Sequence, residues 1–165
     1  MFEQVLPWLD RAFGADGYII DVVGGAEPPR ELARILEHPA VRRHGHADAA
    51  GAWLQETDVL AVPTSIPLGI RVRIISGLSY GTPIVAHSAS ALGIPELEDG
   101  VNALLATSPR EMGEQIVRVV SDRALSEHLE RGARATYERY FSPSVAAEVI
   151  ARELRQSALA TASLS

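Results

Sequence analysis

The sequence predicts an α/β domain built on a doubly wound parallel sheet. Three observations carry that prediction. Segments with strand character alternate with segments of helical apolar spacing. The strand segments, such as YIIDVV and VLAVP, are near-continuous apolar runs, the pattern of strands buried on both faces. The length, 165 residues, suits one domain, and neither an internal repeat nor a linker rich in Gly, Ser or Pro divides it.

Each element follows from local chemistry. Phe2, Val5, Leu6, Leu9 and Phe13 fall at helical spacing, so residues 2–13 read as a helix, with Pro7 near its first turn or at a kink. Residues 18–23 read as a buried strand stopped by Gly24-Gly25. Pro28-Pro29 opens a second helix over 30–38, since a proline at the first helical position gives up no hydrogen bond. A strand is expected at 41–45, a helix at 49–56 capped by Asp48, and a strand at 59–63 ended by Pro63. A helix at 70–80 and strands at 83–87 and 102–106 follow. Ser-Pro-Arg-Glu at 108–111 has the spacing of a capping box and starts a helix that runs to about 121. Helices at 123–139 and 143–157 complete the domain, taken as 1–158, and residues 159–165 are expected to form a flexible tail.

Composition narrows the function. Hydrophobic residues make up 47% and charged residues 22%, as in a soluble globular chain, and no apolar run reaches the roughly 18 residues that span a bilayer. The opening MFEQVLPWLDR has no basic stretch ahead of its apolar residues, unlike a signal peptide, and a cytoplasmic location is the expectation. A net charge of −6 argues against non-specific nucleic-acid binding. There is no cysteine, so thiolate chemistry and disulfides are excluded. There is also no lysine: all 15 basic residues are arginine, which removes Schiff-base and P-loop lysine chemistry.

Ligands of open parallel sheets bind beyond the carboxyl ends of the strands. The richest such end is Pro63 to Arg71. A helix starting near Ile70 would offer free N–H groups and a positive dipole end. Gly69 would let a ligand approach the backbone, and the Arg71 and Arg73 guanidinium groups match phosphate oxygens. The alternative is that both arginines lie on the outer face of an amphipathic helix. His44 and His46 share one strand face, but no carboxylate or cysteine accompanies them, so no metal site is expected. His38 and His128 read as exposed helix residues, and Glu96, Glu98 and Asp99 as a solvated turn. No G-x-S-x-G elbow and no G-x-G-x-x-G fingerprint is present.

Taken together, the motifs resemble the C-terminal, donor-binding domain of the group-1 glycosyltransferases, retaining enzymes of the two-domain GT-B architecture. VLPWL at 5–9, VVGG at 22–25, His44-Gly45 and ETDVLAVP at 56–63 are similar to successive family segments. The fullest match is Gly69 to Val85 (GIRVRIISGLSYGTPIV) against the pattern G-x-R-x-K-I-L-E-A-x-A-x-G-x-P-V-V, followed by GIPELEDGVNALLA at 93–106.

The resemblance implies a single Rossmann-like sheet, half of a GT-B enzyme, with extra C-terminal helices. It implies a nucleoside diphosphate sugar as substrate, no cofactor and no metal. The diphosphate would be held by Gly69, Ile70, Arg71 and Arg73, and the ribose and base would lie near Ser76, His44, Gly45 and His46. The first strand of the family's domain and the acceptor domain are expected to be missing, so this stretch alone would be inactive. It assigns no catalytic residue. The two glutamates that many members carry align with Leu68 and Ser76. That departure keeps a second reading open, a non-catalytic binding or scaffolding domain that has lost donor chemistry.

Overall fold

The computed structural model describes residues 2–24, 33–45, 50–67 and 69–162. Its elements run α1 (Phe2–Phe13), β1 (Ile20–Val23), α2 (Ala33–Leu36), β2 (Val41–His44), α3 (Ala50–Glu56), β3 (Leu60–Val62), α4 (Val72–Tyr80), β4 (Ile84–His87), a 3₁₀ helix (Ser88–Gly93), β5 (Leu104–Ala106), α5 (Pro109–Ser121), α6 (Arg123–Tyr140) and α7 (Pro143–Ala162). Every strand pairing among the described residues is parallel. The α/β class, the strand order along the chain and the alternation with helices are as the sequence predicts.

β4 shows how the sheet is covered on both faces. Its residues alternate sides, as strand geometry requires. Val85 enters a cluster with Val5 and Leu9 of α1, Met112, Ile116 and Val119 of α5, and Leu129 of α6. Ile84 and Ala86 enter the opposite cluster, with Ile74 and Leu78 of α4 and Ala133 of α6. A smaller cluster of Leu6, Ile35 and Val41 packs Tyr18 and Ile20 beside β2. Close contact seats α4 on the sheet. A Cβ on Gly77 would stand 2.8 Å from the Leu60 side chain and 3.1 Å from Ile84, so only hydrogen fits there.

The structure departs from the sequence reading in several places. The five strands do not form one continuous ladder: among the described residues β1 pairs only with β2, and β3-β4-β5 form a separate sheet. α4 begins at Val72 rather than near Ile70, because Arg71 is still extended, with ψ of 93°. Pro7 lies well inside α1. β1 starts at Ile20 because Tyr18 turns its hydroxyl to Asp10, 2.7 Å away. His38 is not an exposed helix residue: it lies past α2, partly buried, with Nε2 3.2 Å from Asp10. β5 starts at Leu104 because Asn102 is drawn into the preceding turn. The expected cap forms, Ser108 Oγ accepting from the Glu111 N–H at 3.2 Å, but the Glu111 carboxylate accepts from Thr107 instead of from Ser108. α7 continues to Ala162, past the expected end at 157, since the alanine-rich SALATA segment favours helix. The expected cap Asp48 and residues 163–165 lie outside the described residues.

Candidate functional site

The loop from Pro63 to Arg71 leaves the carboxyl end of β3 and leads into α4. Three contacts shape it. The buried Ser90 hydroxyl, on the 3₁₀ helix, donates to the Thr64 carbonyl at 3.3 Å. The Gly69 carbonyl is packed so closely on Gly93 that a Cβ there would collide with it. The Arg71 guanidinium reaches back and donates to the Ile66 carbonyl at 2.7 Å. Gly69 itself has φ of +48°, a left-handed conformation that side chains oppose. The space beside its Cα is open, so a ligand can reach the backbone there.

Next comes the helix start. Arg71 is the N-cap residue, and no side chain caps the end. The Ile74 and Ile75 N–H groups both bond to the Arg71 carbonyl, at 2.8 and 3.4 Å. The Val72 and Arg73 N–H groups are therefore the ones left at the amino end of α4, with the positive end of its dipole. Two charges adjoin them. Arg71 has its Nε buried without a hydrogen-bond partner, an uncommon state for a charged donor. Arg73 is exposed. Ile66, Ile70, Val72 and Leu92 form an exposed apolar rim near this end.

The other residues singled out from the sequence are distributed as follows. Ser76 is half-buried on α4, three residues after Arg73 and four after Val72, so it shares their face of the helix. Its carbonyl accepts from the Ser79 hydroxyl at 2.7 Å. His44 ends β2, at the carboxyl edge of the other ladder. Its Nε2 lies 2.7 Å from Asp21, and its ring packs on Trp53 with centroids 4.2 Å apart. Gly45 follows, its carbonyl accepting from the Gly24 N–H at 3.2 Å. His46, Gly25 and Leu68 lie outside the described residues. Gly69, Ile70, Arg71, Arg73 and Ser76 thus gather at one loop and helix start, while His44 and Gly45 sit on the β1-β2 side.

Sequence reasoning missed two parts of this site. The first is the Val72 N–H, hidden because the helix starts two residues later than expected. The second is the 3₁₀ wall at Ser88–Gly93, although the sequence left open that His87, its cap, lines the same cleft or simply ends a strand. His87 begins that wall: its Nδ1 accepts from the Ala89 N–H at 3.1 Å, so the ring's proton is on Nε2. The Ser-Ala-Ser run after a strand ending in His was the available signal.

The acidic turn is structural. Asn102 is 2% exposed and accepts from the Glu98 N–H at 2.9 Å. It donates to the Glu96 carbonyl and to Thr136 Oγ1, both at 2.8 Å. Asp99 accepts from the Leu105 N–H. Among the described residues no group of three or more His, Asp or Glu side chains is placed to hold a metal ion, and no helix is long and apolar enough to cross a membrane.

Solved structures share this fold. HepE of Anabaena, crystallised with UDP, superposes with a TM-score of 0.80 at 19% identity, over 93% of this chain and 44% of that one. Sucrose-phosphate synthase of Thermosynechococcus elongatus gives 0.78 at 19% identity, over 96% and 43%. The C-terminal domain of LpcC, a group 1 family protein of Francisella tularensis, gives 0.69 at 13% identity, over 86% and 80%. The chain thus spans less than half the length of HepE and of the synthase. No curated protein matches it in sequence. The family model described as "Glycosyl transferases group 1" matches residues 3–122, which take in α1 to α5 and the whole Pro63–Arg71 loop. With that match over most of its length, and with this fold, the chain belongs to the group 1 glycosyl transferases.

Proposed function

We propose that this chain is the donor-binding half of a retaining glycosyltransferase, one that moves a sugar from a nucleoside diphosphate sugar to an acceptor. One observation carries the reading: the amino end of α4, uncapped and open at Gly69, has a buried, unpartnered Arg71 Nε beside it. A diphosphate would satisfy that nitrogen and the Val72 and Arg73 N–H groups together. Arg73, free to swing, would bring a second charge to the leaving phosphate, where charge grows as the sugar–oxygen bond breaks. Gly69 and Ile70 would line the approach, and Ser76, one turn along, would face the ribose. His44 and Gly45 would lie toward the base. No cofactor or metal is invoked. The match to the C-terminal domain of LpcC supports assignment to the carboxyl half, and the crystals of HepE with UDP and UDP-glucose make UDP the first nucleotide to try. The apolar rim of Ile66, Ile70, Val72 and Leu92 would meet the acceptor half. The isolated chain is expected to show no transfer.

The test is calorimetric or NMR titration with UDP and with uridine. Affinity for UDP should be weak, on the order of 4–6 kcal/mol of binding, and tighter than for uridine. Arg71→Ala should weaken UDP by roughly tenfold or more and leave uridine unchanged, since a charge-assisted bond contributes about 1.5–3 kcal/mol. Equal, Arg71-independent binding of both would defeat the reading. Ser76 in place of the family's second glutamate favours the rival, a binding or scaffolding domain without donor chemistry. A hydroxyl holds a ribose less firmly than a carboxylate does, and if Ser76→Glu tightens UDP binding, the ribose lies where this reading puts it.

A further inference from the structure

α1 and α5 pack against each other on the Val85 face of the sheet, opposite α4. A cleft of about 310 Å³ lies between them. Trp8, Arg11 and Ala12 line it from α1, and Gly113, Glu114 and Val117 from α5. Both sets are spaced three and four residues apart, so each helix gives the cleft one stripe. Small residues keep it open. A Cβ on Gly113 would stand 2.7 Å from the Trp8 Cβ and 3.0 Å from its Cγ, so only hydrogen lets the indole lie against α5 there. Ala12, exposed on α1, leaves the space beside Trp8 unfilled.

The charges around the cleft do not cancel. Two guanidinium groups lie over the Trp8 ring, Arg11 Cζ at 5.5 Å and Arg110 Cζ at 5.3 Å from its centroid. Arg110 is already paired, its Nε donating to Glu114 Oε1 at 2.8 Å. That bond takes up the carboxylate of the lining. Asp10, next to Arg11 in sequence, turns instead to Tyr18 and His38. Arg11 is exposed and, among the described residues, pairs with no carboxylate. In a chain of net charge −6, a guanidinium held on an indole without a counter-charge is a place for an anion. Trp8, Ala12 and Val117 make the rest of the lining apolar, so the body behind the anionic group is apolar too.

We propose that the cleft between α1 and α5 binds a small amphipathic anion, a carboxylate carried on a short aliphatic chain. The carboxylate pairs with the Arg11 guanidinium, whose fork matches its two oxygens. The chain lies along Trp8, Ala12 and Val117, where its burial supplies the rest of the affinity. The volume is at the low end for small-ligand pockets, which suits one short chain in free solution and not a nucleotide or a two-chain lipid. The Pro63–Arg71 loop leads into α4, on the other face of the sheet. The cleft is therefore a second site, and it stands or falls apart from donor binding.

The test is NMR titration of the 165-residue chain with octanoate below its micelle concentration, beside octanol, octyltrimethylammonium and acetate. The chain has two tryptophans, so the Trp8 indole N–H reports the cleft and that of Trp53, assigned through Trp53→Phe, reports a distant surface. Octanoate should move the Trp8 indole and the Gly113 and Val117 amides saturably, and bind roughly tenfold or more tighter than the other three probes. The Trp53 indole and the Val72 and Arg73 amides should not move. Arg11→Gln should weaken octanoate by roughly tenfold and leave octanol unchanged. Ala12→Leu, a helix-compatible change at an exposed position, should fill the cleft and abolish binding. The Val85 amide reports whether each variant keeps the fold, and if Ala12→Leu disturbs it, Arg11→Gln decides. The proposal is overturned if the Trp8 indole does not move at millimolar octanoate, if octanoate and octanol bind equally, or if Arg11→Gln changes nothing. It is overturned too if phosphatidylglycerol vesicles retain the chain while octanoate does not bind, since this face would then meet a lipid surface.

Discussion

β4 and β1 are both short apolar strands, and their fates differ. IVAH is paired on both edges and buried from Ile84 to Ala86, with residues entering two helix-covered clusters in turn. IDVV is paired on one edge and leaves two valines exposed. Neither difference is written in the strands, since valine and isoleucine dominate each. What separates them is neighbours: β4 has β3, β5, α4 and α5 around it, whereas among the described residues β1 pairs with β2 alone. A parallel strand gains its stability from being enclosed, so β4 lies in a core while β1, among the described residues, is enclosed less fully.

That contrast can be broken by mutation. Ile84→Ala should have the largest effect, about 2–5 kcal/mol, because it opens a cavity in a fully buried cluster. Val22→Ala should cost no more than about 0.5 kcal/mol, the range of an exposed position. Urea unfolding of both variants measures the difference, and near-equal losses would mean that β1 is as enclosed as β4. Asn102→Ala should follow at about 2–4 kcal/mol. It leaves the Glu98 N–H and the Glu96 carbonyl without their partner in the turn that leads into β5. Gly77→Ala should cost about 1–3 kcal/mol by pushing α4 off Leu60 and Ile84. If α4 shifts, UDP binding at its amino end should weaken too, a second readout of how the β4 half positions the site.

A smaller effect than those on the β4 half sharpens the β1 side. Tyr18→Phe should cost about 1 kcal/mol at neutral pH, through loss of the 2.7 Å bond to Asp10 that ties the entry to β1 onto α1. Burial, then the hydrogen bond and the charge of Asp10, push the Tyr18 hydroxyl well above its ordinary pKa of 10.0. The sign follows from linkage. The unfolded chain loses this proton first, so the contribution of Tyr18 is complete below about pH 10 and declines as pH rises further. Wild type should therefore lose stability faster than Tyr18→Phe from about pH 10 to about pH 11 in urea titrations. A parallel decline of the two proteins would show that Tyr18 does not matter to β1.

Much of this protein was legible without coordinates. Alternating apolar runs and helical spacings placed every strand within a few residues, because period and length are local properties. The Pro109 start of α5 and its Ser108 cap were legible for the same reason: a cap is a bond between residues three apart. The Gly69-to-Val85 motif placed Gly69, Arg71 and Arg73 around a helix start, which is where α4 begins. Tertiary structure decided what local pattern cannot express. It set the helix start at Val72, since Arg71 is held extended while its guanidinium bonds to Ile66. It recruited Ser90 and Gly93 as the loop's second wall, across more than twenty residues of sequence. It turned His38 inward to Asp10 and His44 toward Asp21 and Trp53. Above all, among the described residues it left β1 and β3 unpaired. A run of valines states that a strand will form. Whether both its edges are paired depends on which other strands lie beside it, and that is a property of the assembled sheet.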